Sequence, residues 1–225
     1  MLSSPNLQKG LYPIMPILYP IPATDQIPIS VVVSVLLSLL FIGVSMLVCL
    51  LMTHVMQKQS FQTHPPLQMI LTGCFSLALY LRFGCSMVAV QGMILFFILL
   101  YASCSDLTTH TMDDYLWVMV GILGLLSVST VGLPSMLVGA VMVFVPQILI
   151  ALLPPHKALG GADMKLSTAL AFLLGWQKGL AALVLGLLLA VIVMLIIQYL
   201  NKKKKKQPFA LIPFLSVGAL VMFVI

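Results

Sequence analysis

"PPHKALGGADMKLSTAL", residues 154–170, is a short polar bridge between two long apolar runs. Pro154 and Pro155 close the first run. Gly160 and Gly161 follow, and then Asp163 opens the second run with Lys165 two positions later. An acid at the mouth of an apolar run needs an explanation, and the surrounding chain supplies the setting.

Of the 225 residues, 61% are hydrophobic and 7% charged, and the mean hydropathy is +1.17. Such a composition excludes an ordinary soluble domain and points to an all-α, polytopic transmembrane helical bundle. Apolar runs predict spans at 29–53, 67–82, 84–104, 115–130, 133–153, 163–176, 178–200 and 208–225, about eight in all. Residues 1–28 form a proline-rich segment, and 29–225 form the membrane domain. The six prolines of that first segment interrupt any apolar core, so no cleavable signal peptide is expected. The net charge of +6 is not a nucleic-acid signal, because five of the basic residues are the run Lys202–Lys206. Beside apolar spans such a run reads as a topology anchor facing the lipid bilayer. Cys49, Cys74, Cys85 and Cys104 form no CxxC pair and read as small buried hydrophobes, so no metal site is expected.

Lys and Arg set the orientation. With residues 1–28 outside, the inward loops are 54–66, 105–114, 154–165 and 201–207, and they hold eight of the eleven basic residues. Lys9, Arg82 and Lys178 fall outside. Four of the five acids then gather on the inner side. Asp106 ends the third span, Asp113 and Asp114 precede the fourth, and Asp163 opens the sixth; Asp25 is the exception.

Taken singly, these acids fit helix capping or solvation. Asp163 and Asp114 precede helical runs, and Asp106 is interfacial. Taken together, Asp106 and Asp163 fit a different reading. Two carboxyls brought close cannot both ionise cheaply, so one keeps a proton while the other serves as a base. Such a dyad activates water against a peptide carbonyl. Gly160 and Gly161 would give the backbone angles closed to other residues and let a substrate strand come near. Lys165 either holds charge at the site or snorkels as an anchor.

These residues resemble the type IV prepilin peptidases, GxGD-class intramembrane aspartyl proteases. "GGADMKL" at 160–166 is similar to the GxGD-x-K-L motif. "SDLTTHTMDDYLWV" at 105–118 resembles the first catalytic stretch, with an Asp followed eight residues later by Asp114 at the next helix start. "HPPLQMILTG" at 64–73 and "PFALIPFLSVGAL" at 208–220 resemble the entry to the second span and the closing helix. The resemblance spans about 29–225 and implies Asp106 and Asp163 as the catalytic pair, with Gly160, Gly161, Ala162, Lys165 and Asp114 shaping the site. It implies removal of a short basic leader from prepilin or pseudopilin precursors at the cytoplasmic face of a bacterial inner membrane. Pilus or secretion machinery would be the partner. The cut needs no cofactor; S-adenosylmethionine would enter only if the new amino terminus is also methylated.

Three departures stand out. Ala162 occupies the second glycine position of GxGD, where it would be strained if φ were positive. "MDD" at 112–114 lacks the usual proline. The cysteine-rich cytoplasmic loop of longer members is absent from the short 54–66 loop, which puts methylation in doubt. Two other readings stay open. One is a proton- or cation-coupled transporter, although Gln91, Gln147 and Gln198 are scattered and trace no path. The other is an inactive pilus-assembly scaffold.

Overall fold

A computed structural model of the protein describes residues 31–58, 61, 64–152, 160–200 and 210–225. The proline-rich segment, Asp25, the Lys202–Lys206 run, Lys157, Pro154, Pro155 and Pro208 lie outside the described residues. The chain divides into two compact units, 1–36 and 37–225. Of the first, only the start of one helix is described; the bundle lies in the second.

The described elements are α1 (Val31–Lys58), α2 (Pro65–Phe83), α3 (Met87–Thr109), α4 (Asp114–Leu125), α5 (Val128–Val131), α6 (Leu133–Leu152), α7 (Gly161–Leu200) and α8 (Ile212–Val224). No strand occurs among the described residues, so the chain is an all-α, multi-pass bundle. Five helices, α1, α2, α3, α6 and α7, are long and apolar enough to cross a membrane; α4 and α8 are shorter apolar helices. The span expected at 115–130 is α4 and the single turn α5, parted by a turn at Leu126 and Ser127. The two spans expected at 163–176 and 178–200 are the halves of α7, which breaks at Gly175 with φ 80° and ψ 175°. Only glycine enters that region without strain.

Local chemistry sets the helix ends. Pro65 and Pro66 open α2, where a missing N–H costs nothing. Ser86 caps α3 by accepting the Ala89 N–H. His110 closes α3 in the left-handed region, φ 52°, returning its N–H to the Asp106 carbonyl at 3.0 Å. The sharp stop matters, because it leaves Asp106 in the last turn.

α3 is the central element, with 56% of its most apolar window buried. Leu95, Leu99 and Ala102 of α3 pack with Leu116 and Val120 of α4, Leu166, Leu170 and Leu173 of α7, and Ile212 and Ala219 of α8. Lipid is as apolar as leucine, so close packing and interhelical hydrogen bonds must hold such a bundle. Both are present. A Cβ at Gly218 of α8 would lie 2.8 Å from the Gly186 nitrogen of α7, and one at Gly186 would lie 2.9 Å from the Leu215 Cα. Gln91 Nε2 donates to Ser127 Oγ at 2.7 Å and to the Leu123 carbonyl at 3.0 Å. Gln147 and Ser167 exchange bonds between α6 and α7 at 2.9 and 3.0 Å. Two of the glutamines left unexplained by sequence are therefore clamps between helices, each worth about 0.6 kcal/mol. Gln198 is exposed.

The cysteines divide. Cys49 and Cys104 are buried as expected, whereas Cys74 and Cys85 are exposed. Cys74 lies on the outward face of α2, which accepts a small apolar side chain as readily as its inward face does, and Cys85 lies in the bend between α2 and α3.

Candidate active site

Four helix ends meet on one side of the bundle: the last turn of α3 and the first turns of α4, α7 and α8. Asp106 lies in the last turn of α3 and is only 8% exposed. Its Oδ2 accepts the backbone N–H of Ile212, the first residue of α8, at 3.1 Å. Asp163 lies in the first turn of α7, half-buried and within Coulombic reach of Asp106. The two carboxyls therefore sit at the ends of separate helices, near enough for the charge of one to act on the other.

The glycines act differently from expectation. Among the described residues, positive φ occurs only at Gly84, His110, Gly132 and Gly175. Neither Gly160 nor Gly161 uses a conformation closed to other residues, and Ala162 carries no backbone strain. What Gly160 supplies is room: a Cβ there would lie 2.8 Å from Asp163 Oδ2. Gly161 is exposed with open space around its Cα, and Ala162 packs against the core.

The capping reading also changes. Asp113 takes the N-cap position of α4 but makes no side-chain cap bond. Asp163 is the third residue of α7, not its cap. Asp114 instead accepts Lys165 Nζ at 2.6 Å, joining the starts of α4 and α7. That bond, and the lysine charge behind it, hold the Asp114 carboxyl below the ordinary carboxylate range. The lysine also sits 6.0 Å from the centre of the Trp117 ring, within the outer range of a cation–π contact. Lys165 is therefore a charged tie between α4 and α7, two positions from Asp163.

Sequence reasoning passed over two groups at this end. One is the Ile212 N–H. Its signal was available, because Pro213 marks a helix start and the first N–H groups of any helix lack an intrahelical partner. The other is Gln68 at the start of α2, whose Nε2 lies 3.2 Å from Cys104 Sγ; nothing in the sequence pattern singled it out.

Residues 93–197 match the type IV leader peptidase family. The match runs from α3 into α7 and contains Asp106, Asp114, Gly160, Gly161, Ala162, Asp163 and Lys165. No curated protein and no solved structure matches the chain. The family is one of peptidases, acting on prepilin-like substrates from within the membrane, and the apolar helices agree with that setting.

Proposed function

We propose that the protein is a membrane-embedded aspartyl endopeptidase. It removes the short basic leader from type IV prepilin or pseudopilin precursors at the cytoplasmic face of the inner membrane. The observation that carries this reading is the convergence of Asp106 and Asp163 at one end of the bundle, inside the stretch that matches the family.

In this mechanism one carboxylate takes a proton from water. The resulting hydroxide adds to the scissile carbonyl carbon while the protonated partner gives its proton to the carbonyl oxygen. Collapse of the tetrahedral species breaks the C–N bond; the departing nitrogen takes a proton from the acid formed in the first step, and a hydroxyl proton of the diol returns to the partner carboxylate. Water is drawn from the boundary where the helix ends meet, which suits a bond lying just before a substrate's apolar helix. Gly160 leaves room for the Asp163 carboxyl, and the Asp114–Lys165 tie holds the starts of α4 and α7 together. S-adenosylmethionine enters no step of the cut. Pilus or secretion machinery is the partner that would receive the mature product.

The test is co-expression with a prepilin, following its size. Wild type shortens the substrate, and Asp106→Ala and Asp163→Ala do not. Processing that survives either substitution would refute the dyad.

A further inference from the structure

The two aspartates are not in equivalent surroundings. α8 begins at Ile212, whose N–H has no intrahelical acceptor; Pro213 has no N–H, and the Phe214 N–H returns to the Leu211 carbonyl at 3.1 Å. The Ile212 N–H is spent on Asp106 Oδ2, in a buried setting. An N–H can only donate, and its bond to an ionised oxygen is shorter and stronger than its bond to a neutral one. The positive end of α8 adds to the preference for negative charge at that oxygen. Among the described residues no backbone N–H donates to the Asp163 carboxyl. The other titratable groups acting on Asp106 are His110, on its own helix, and Asp163, across on α7. The described part of α8 has no titratable side chain, and Asp114 of α4 is engaged by Lys165.

Resting on the aspartyl-peptidase reading, we propose that the Ile212 backbone N–H is a positioning group that divides the labour within the pair: it holds Asp106 as the base and leaves Asp163 as the proton donor. The bond occupies Oδ2, so Oδ1 is the oxygen that takes the proton from water. Asp163 then delivers its own proton to the scissile carbonyl oxygen. As the tetrahedral species collapses, the proton on Asp106 passes to the departing nitrogen, and a hydroxyl proton of the diol returns to Asp163, so both carboxyls regain their starting states. Bonds and protons balance with water as the only co-reactant.

A backbone donor is removed by changing the backbone. Ile212→Pro deletes the N–H at the first helical position, where proline is accepted. Replacing residue 212 by the matching α-hydroxy acid exchanges the N–H for an ester oxygen and keeps the side chain, which covers the case in which the proline variant does not fold. Ile212→Val keeps the N–H and trims the side chain. Cleavage of a purified prepilin by the full-length protein in lipid vesicles is followed against pH. Losing a donor to a charged group moves the acidic limb of kcat up by about one pH unit or more in the proline and ester variants, and leaves it in place in Ile212→Val. A lowered plateau with an unmoved limb makes the bond merely structural and overturns the assignment, as does no change at all. An inactive wild type takes down the peptidase reading and this assignment with it; an active wild type with an unmoved limb takes down the assignment alone.

Discussion

Asp106 and Asp114 stand eight positions apart at the same end of the bundle, and their surroundings are opposite. Asp106 is 8% exposed and its charge is answered by a backbone N–H. The Asp114 side chain is 77% exposed and is answered by a lysine that is itself 47% exposed. An exposed ion pair is weakened by water and salt, so it ties two helices loosely. A buried acid has given up its hydration, and a helix bundle keeps such a group only where other groups answer it or chemistry uses it. Residue type alone does not separate the two. Burial, and the kind of donor that each acid meets, nominates Asp106 and demotes Asp114 to support.

The largest expected effect breaks this comparison directly. Asn is nearly the shape of Asp but cannot act as a base. Asp106→Asn is expected to slow prepilin cleavage by roughly 10²–10⁴-fold, the usual span for a lost acid or base. Asp163→Asn should do the same, and Asp114→Asn should leave the rate within a few-fold of wild type. Initial rates on one prepilin check all three. A loss at Asp114 as deep as that at Asp106 would erase the distinction between a buried reacting acid and an exposed supporting one.

A second prediction sharpens it through α8. The Ile212 donor is placed by the close approach of α7 and α8 at Gly186 and Gly218. Gly218→Val forces these backbones apart and is expected to destabilise the bundle by about 1–3 kcal/mol, the range for overpacking. The rate should fall with it as the Ile212 N–H leaves Asp106. Gly121→Ala is the contrast. Its Cβ meets nothing within 4 Å, so helix propensity alone acts and the change should stabilise by about 0.5–1 kcal/mol. Thermal unfolding in detergent reads both. Equal effects at the two glycines would show that α7 and α8 do not depend on contact between their backbones.

Much of the fold was legible in the sequence because a bilayer imposes a length. Apolar runs of about 20 residues cannot be much else, and the expected spans fall on the described helices to within a few residues. The break in the long apolar stretch was legible as well, because Gly175 stands just before Gln177 and Lys178, which interrupt the apolar run. The gathering of the acids followed from counting lysines along the loops. Side-chain partnership was not legible. Lys165 might equally have faced lipid headgroups, and only the packing of α4 on α7 brings Asp114 to it. The backbone angles expected of Gly160 are absent for a related reason. A motif shows that a small residue sits there without saying whether backbone angle or space demands it, and the φ values answer for space. The Ile212 donor is a backbone group: Pro213 marks the helix start that frees it, but no side-chain pattern names the acid it meets.

The smallest expected effect concerns the exposed pair, and its sign can be worked out. Lys165 lowers the Asp114 carboxyl below its ordinary value, which is about 3.9. A carboxyl whose folded value is depressed stabilises the fold fully above the unfolded value, and loses that contribution as pH falls through the folded one. Between pH 5 and 8, therefore, the gap in unfolding temperature between wild type and Asp114→Asn should be small and constant. It should shrink with added salt and close only as the solution is taken well below pH 4. Exchanging the partners, Asp114→Lys with Lys165→Asp, should restore most of what either single change removes. That rescue would show that the pair works as a tie whose direction does not matter. If instead the gap widened steadily from pH 8 to pH 5, a group titrating near neutrality would be acting through Asp114. The exposed acid would then belong to the same proton circuit as the buried ones, and the boundary between the two regions would have to be redrawn around all three aspartates.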